Sequence, residues 1–432
     1  MKIFSVILTK EEKLTFRYHT LYSILEGFIF GVLALNEFIF LKSMKGSNFN
    51  LGVLFQVGTA VFVLLIFFNV FIKRIHNKNA LLRQTAIVTR LPLLLLLFFP
   101  KNPQTFLSEP LFHYLFLILF LIFYLESPIT LPLVNLFLKH NYRHENFGVL
   151  YGFSTTINKI VTLFVTLFYG ILLDIDHYAF TYILPMTGVI GVLSIFMFSK
   201  ITFIDENPID ERKNFISSVK DSIKNMKIIL KENHPFRHFE IGFMLYGIAF
   251  MMTVTVITIF FERVLHLNYV SVAFYKNAFN IIAIAMIPFF GKLIGTIDPR
   301  KFTVFSLGSM MLAILFIALT EFYRQYFIIF DIKIFHMLLL YVFWYGLFLG
   351  SMSIVWRIGS AYFCEKKDTA IYQSIHLSAT GIRALFAPLF GVVIYEIVGF
   401  SITFGIAIGF LIAAIGILYW STKHSPIQSI SE

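Results

Sequence analysis

"KITFIDENPIDERKNFISSVKDSIKNMKIILKENHPFRHFE", residues 200–240, is the one long stretch of mixed charge in a chain otherwise built from apolar runs. A helix needs about 20 apolar residues to cross the hydrocarbon core of a bilayer. Twelve such runs are present: 18–42, 51–72, 84–100, 111–138, 147–173 and 178–199 before the charged stretch, and 239–262, 269–291, 302–322, 335–359, 369–397 and 399–420 after it. They are numbered spans 1 to 12. The charged stretch therefore divides the chain six and six. Within it Ile216, Val219, Ile223, Met226 and Leu230 recur at three- or four-residue spacing. That pattern fits an amphipathic helix lying on the membrane surface, with a solvated linker as the alternative.

The bulk composition agrees, with 58% hydrophobic residues, 14% charged residues and a mean hydropathy of +0.80. These values describe a polytopic membrane protein. Strands of a closed barrel would alternate apolar and polar residues, and runs such as "LPLLLLLFFP" (91–100) do not. The first residues, "MKIFSVILTKEEK", hold an apolar core of only seven residues, too short for a cleavable signal, so span 1 is expected to be retained. The single cysteine, Cys364, excludes an intramolecular disulfide and reads as an ordinary thiol. No Gly-rich phosphate loop, His-Glu-x-x-His or paired-Asp motif occurs, and no nucleotide-binding domain. Neither an enzyme nor an ATP-driven pump is expected, and no cofactor or metal.

Lys and Arg stay on the cytoplasmic side of membrane proteins. With the amino terminus inside, the inner segments hold 25 of the 35, the outer segments six, and four (Arg90, Lys159, Lys276 and Arg383) lie within spans. Both termini are expected in the cytoplasm, and the net charge of +11 follows from topology rather than from nucleic-acid binding.

The halves also read as copies displaced by about 220 residues. "FRYHTLYSILEGFIF" from Phe16 aligns with "FRHFEIGFMLYGIAF" from Phe236, pairing Leu25 with Leu245, Gly27 with Gly247 and Phe30 with Phe250. Tyr151 and Gly170 of span 5 fall on Tyr372 and Gly391 of span 11.

Twelve spans in two parallel repeats, with a long basic loop after span 6, resemble the major facilitator superfamily of secondary transporters. The second copy of that family's cytoplasmic-loop motif reads "GKLIGTIDPRK" from Gly291, with the glycine and the basic Arg300 and Lys301 in place and Gly295 where the family carries aspartate. The first copy, "FIKRIHNKN", keeps only basic residues. The resemblance implies an all-α fold of two pseudo-symmetric six-helix bundles, residues 1–199 and 239–432, joined by a cytoplasmic linker at 200–238, with Gly291, Arg300 and Lys301 in a gating loop. It implies movement of a small solute across the cytoplasmic membrane by alternating access. The proline and glycine run of the family's drug antiporters is absent from "TLFVTLFYGILLD" (162–174), which weighs against multidrug export.

Charges inside spans are costly and usually functional. Arg383 shares a face of span 11 with His376 and Thr380. Lys159 stands on a polar stripe of span 5 with Thr155, Asn158, Thr162 and Thr166, and Lys276 lies beside Asn277 on the face of Asn280 in span 8. The resemblance puts these spans around a central cavity, which makes Arg383, Lys159, Lys276, His376, Asn158 and Asn280 the candidate substrate-binding residues, and an anionic solute the expected one. Glu26 and Glu126 oppose them. A carboxylate without a permanent partner in a low-dielectric cavity can carry a proton, so these two are the candidate proton-coupling residues. Structural ion pairing is the competing role for each buried charge, and Arg90 fits either. The expected partners are a small-molecule substrate, membrane lipid, and protons or another coupling ion. Efflux of cationic or drug-like compounds, or a receptor without transport, are the alternatives.

Overall fold

The computed structural model describes residues 2–3, 6–65, 68, 71–72, 75–203, 215–365 and 368–426. Lys73, Arg74, Lys366 and Lys367 of the basic loops, and the side chains of Ile216 and Val219, fall outside what is described.

Among these residues ten helical stretches are long and apolar enough to cross a membrane, and a shorter apolar one, Asn48–Leu64, forms span 2. The last of the ten, Ile371–His424, covers spans 11 and 12, which meet where Gly399 takes a φ of 80°. The twelve expected spans are thus present, and the fold is all-α. The linker contains a helix over Phe215–Glu232.

Sequence features explain where helices start and break. Span 1 begins at a capping box, with the Thr9 side chain accepting from the backbone of Glu12 and the Glu12 side chain accepting from Thr9 N–H. Span 4 comprises Leu111–Tyr124 and Ser127–Asn141, broken just ahead of Pro128. Glu126 sits in that break. Span 3 tightens from α-helix, Lys78–Arg90, to a 3-10 helix, Leu91–Phe98, where Pro92 removes a donor, and Arg90 is the last α-helical residue. Span 11 repeats the device. Thr369–Ala384 ends ahead of Pro388 with Arg383 in its last turn, and the chain resumes at Ala387.

Two compact units result. The first contains residues 1–46 and 64–218. Phe16, Leu82, Leu133, Phe137, Leu150 and Phe198, from spans 1, 3, 4, 5 and 6, meet in its core. The second contains residues 47–63 and 219–432, so span 2 groups with the later spans. The reason is visible at the break in span 11: the freed carbonyl of Leu385 accepts from Gln56 of span 2, and Asn48 Nδ2 donates to Glu396 Oε1 at 3.2 Å.

Cys364 is buried and unpaired by any disulfide, between spans 10 and 11. Burial pushes its thiol up from the ordinary range, so it is a poor nucleophile at neutral pH.

Candidate functional site

Two buried charge centres stand out, one in each unit. In the first unit Arg90 is only 3% exposed and reaches three other spans. Its Nε and Nη2 form a fork on Glu126, the Nη2 to Oε1 distance being 2.6 Å. Nη1 donates to Glu26 Oε1 at 2.7 Å, to the Gly191 carbonyl at 2.9 Å and to Ser194 Oγ at 3.1 Å. The Ser194 hydroxyl donates in turn to Glu26. Gly191 leaves the room this requires, since a Cβ there would collide with Arg90 Cδ. Such bidentate geometry suits guanidinium and not ammonium. The three ionic side chains bring two carboxylates to one cation.

The expected opponents of Glu26 and Glu126 were Arg383, Lys159 and Lys276; the partner found is Arg90. The helix breaks put it there. Arg90 lies at the α to 3-10 junction of span 3, from which its guanidinium reaches both Glu126, at the interruption of span 4, and Glu26 on span 1.

In the second unit Arg383 is equally buried at 3% exposure, yet no carboxylate among the described residues hydrogen-bonds to it. Nη1 donates to the Phe243 carbonyl and Nη2 to Thr380 Oγ1 at 3.2 Å. The guanidinium carbon lies 5.8 Å from the ring centre of Phe243 and 5.5 Å from that of Tyr246, within cation–π range. Nε has no hydrogen-bond partner among the described residues. Two turns earlier, His376 Nδ1 meets Glu240 Oε1 at 2.9 Å, leaving His376 Nε2 and Glu240 Oε2 also without hydrogen-bond partners there. Two stripes face each other: Glu240, Phe243 and Gly247 on span 7, and His376, Thr380 and Arg383 on span 11. Each stripe runs along about two turns, or ~10 Å, of helix.

Gly247 is what admits the guanidinium, because a Cβ there would collide with Arg383 Nε. Gly247→Ala is expected to displace the Arg383 side chain while sparing the helix. Equilibrium binding of any ligand held by Arg383 should weaken about tenfold, the equivalent of roughly 1.4 kcal/mol, with near-native thermal stability. Unchanged binding would mean the ligand does not use Arg383.

The remaining candidates are placed as follows. Asn158 Nδ2 donates to the Ser23 carbonyl at 2.9 Å, and the hydroxyls of Thr162 and Thr166 donate to the carbonyls of Gly27 and Gly31, so much of the span 5 polar stripe bonds to span 1. Lys159 is exposed on the same helix and has an interaction of its own. Asn280 Nδ2 donates to the Lys276 carbonyl at 2.7 Å, and the half-buried Lys276 is likewise engaged. The expected gating-loop residues are helical instead: Gly291 is exposed in the last turn of span 8, Lys301 is exposed in the first turn of span 9, and Arg300 beside it is fully buried. Asp298 caps span 9 and accepts from Arg300 Nη2 at 2.7 Å. Arg300 Nη1 donates to the carbonyls of Ser421 and Ser425 at 2.9 and 2.6 Å, neutralising the carboxyl end of span 12.

Sequence reasoning missed Glu240, Asp298, Gly191 and Ser194. Glu240 lies at the start of span 7 and reads as a solvated end; its spacing to Gly247, matching that of His376 to Arg383, is the signal that points to it.

The profile of the Major Facilitator Superfamily matches residues 19–357. The chain belongs to that superfamily. No curated protein matches it in sequence. Among solved structures it is similar to a mutant of the nucleoside transporter NupG, with 13% identity, a TM-score of 0.69, and 94% of this chain and 99% of that one covered. It is also similar to the xylose transporter XylE from E. coli, inward open, with 12% identity, a TM-score of 0.64 and coverage of 96% and 97%. A bacterial homolog of the human lysosomal transporter Spinster gives 12% identity, a TM-score of 0.64 and coverage of 96% and 98%. The chain is an integral multi-pass membrane protein and a secondary transporter for a small molecule, not an enzyme.

Proposed function

We propose that this transporter carries a small solute with an anionic group, which Arg383 receives, and that proton binding at the Glu26–Arg90–Glu126 cluster drives it. The carrying observation is the state of Arg383: a buried guanidinium with an unpartnered Nε and no carboxylate among the described residues bonded to it. A permanently charged group is costly to bury without a counter-charge. A carboxylate or phosphate arriving with the solute supplies one. Within the same unit Lys276 adds positive potential, while His376 and Asn280 supply further polar contacts as the protein moves between states.

Proton coupling rests on charge balance. Glu26 and Glu126 share one guanidinium, so one proton makes the cluster neutral. Proton and anion then each bias an inward-facing or outward-facing state, and the two sites communicate through that equilibrium. The distribution of Lys and Arg supports a cytoplasmic membrane with both termini inside, and the duplication supports bundles at 1–199 and 239–432, although residues 47–63 group with the second unit. Gly291, Arg300 and Lys301 flank the turn between spans 8 and 9 that would shift with the state.

The test is thermal stability of the detergent-purified protein against panels of organic anions, organic cations, sugars and nucleosides at two pH values. A ligand at about 100 times its Kd adds ~2.7 kcal/mol of stability if it binds the folded state alone. Anions alone are expected to stabilise. Stabilisation by cations alone would overturn the anion reading and move the centre to Glu240. In liposomes, uptake of an active anion should be accompanied by proton movement; proton-independent uptake would remove Glu26 and Glu126 from coupling.

A further inference from the structure

Between spans 9 and 10 the chain forms a β-hairpin that hydropathy treats as a loop: Tyr326–Ile329 pairs with Ile332–Phe335 in antiparallel register. Phe330 and Asp331 turn it with φ of 48° and 61°, the left-handed pair that matches the twist of the strands. The second strand is fastened to the start of span 8. Lys333 N–H donates to Ser271 Oγ at 2.9 Å and Phe335 N–H to Tyr275 Oη at 2.8 Å, while the Tyr275 hydroxyl donates to the Lys333 carbonyl at 2.9 Å. Asn268 Nδ2 donates to the Asp331 carbonyl at 2.8 Å, and Lys333 Nζ to the His266 carbonyl at 2.9 Å. The hairpin is therefore held at the membrane-spanning body.

Its first strand has no neighbour on the other side among the described residues, the sheet being two-stranded. Tyr326, Phe327, Ile328 and Ile329 are all exposed, and Phe330 at the tip is 92% exposed. Phe322 and Tyr323, where span 9 ends, and Leu339, Leu340 and Phe343, in the first turns of span 10, are exposed as well. In bulk water an open, apolar strand edge is a site of aggregation. In the hydrocarbon core its unpaired backbone groups would each cost several kcal/mol. The headgroup layer avoids both penalties, since water there reaches the edge while aromatic and aliphatic side chains leave it.

We propose that this hairpin lies in the interfacial layer of the bilayer, with Phe330 at its tip and Ile328 of its open strand in the lipid, so that it anchors the connection of spans 9 and 10 to the membrane surface. The occupant is phospholipid because the hairpin directly joins two membrane-spanning helices whose residues next to it, Phe322, Tyr323, Leu339 and Leu340, are exposed and apolar too. The anchoring does not depend on which solute is carried.

Nitroxide labels at Phe330→Cys and Ile328→Cys, in a Cys364→Ala background reconstituted into phospholipid nanodiscs, test this through collision with oxygen and with a water-soluble nickel chelate. Lipids labelled at the headgroup and along the acyl chain calibrate depth. Both sites are expected just below the phosphates, with nickel collisions reduced several-fold relative to the headgroup label. Nickel access equal to that label would overturn the proposal, as would a depth near the bilayer centre. Protection from both reagents would also overturn it, by indicating a protein against the strand. A Phe330→Trp variant provides a check that does not need Cys364 replaced: lipids brominated near the headgroup should quench its added emission over that of Trp344, Trp356 and Trp420.

Discussion

Replacing Arg90 with alanine is expected to destabilise the protein by about 3–5 kcal/mol, because it strands Glu26 and Glu126 together in a buried site without their cation. The fork on Glu126 and the bond to Glu26 disappear at once, and two like charges are left to repel. Arg90→Lys should fall between, since a single ammonium cannot reproduce the fork or reach Gly191 and Ser194 as well. Removing all three charges, with Arg90→Ala, Glu26→Gln and Glu126→Gln, should recover much of the lost stability, since breaking a buried pair costs more than deleting it. Melting temperature and yield of monodisperse protein measure this series. Native stability in Arg90→Ala would show that the cluster does not hold the first unit together. The triple variant also separates roles: if it folds but transports without moving protons, the cluster is where coupling arises.

Arg383→Ala is expected to do the opposite, leaving stability near native and removing function. No bonded carboxylate is orphaned by its loss, and the Phe243 carbonyl and Thr380 hydroxyl are the hydrogen-bond partners given up. A charge-assisted hydrogen bond contributes about 1.5–3 kcal/mol, so affinity for an anionic solute should fall roughly 10- to 100-fold. Stabilisation by anions and transport into liposomes should both be lost in a protein that still elutes as a single species. Normal transport would eliminate Arg383 from binding; failure to fold would assign it a packing role. The contrast is informative because the two arginines are equally buried. What differs is charge balance, two carboxylates bonded to one and none of the described carboxylates bonded to the other.

The twelve spans and the superfamily were legible in the residues, as was the polar face of span 11. The carboxylates Glu26 and Glu126 were recognisable as exceptional, but their partner was not. Asn158, Thr162 and Thr166 read as a stripe open to a cavity and instead bond to the backbone of span 1. A period of 3.6 residues tells which side chains share a face but not which way that face turns.

By itself the sequence determined how many runs are long and apolar enough to cross the membrane, because lipid offers no partner for a free backbone group and a run of about 20 apolar residues can only be a helix there. Proline at 92, 128 and 388 stands at breaks, whereas Pro132, Pro185 and Pro288 lie inside continuous helices, so which prolines break a span was not decided by the sequence. Only the tertiary structure decided that Arg90 meets residues 64 and 36 positions away, that Glu240 stands opposite His376, and that Arg383 has none of the described carboxylates bonded to it. Those pairings depend on how each helix is rotated about its axis, and rotation is set by packing against neighbours from distant parts of the chain.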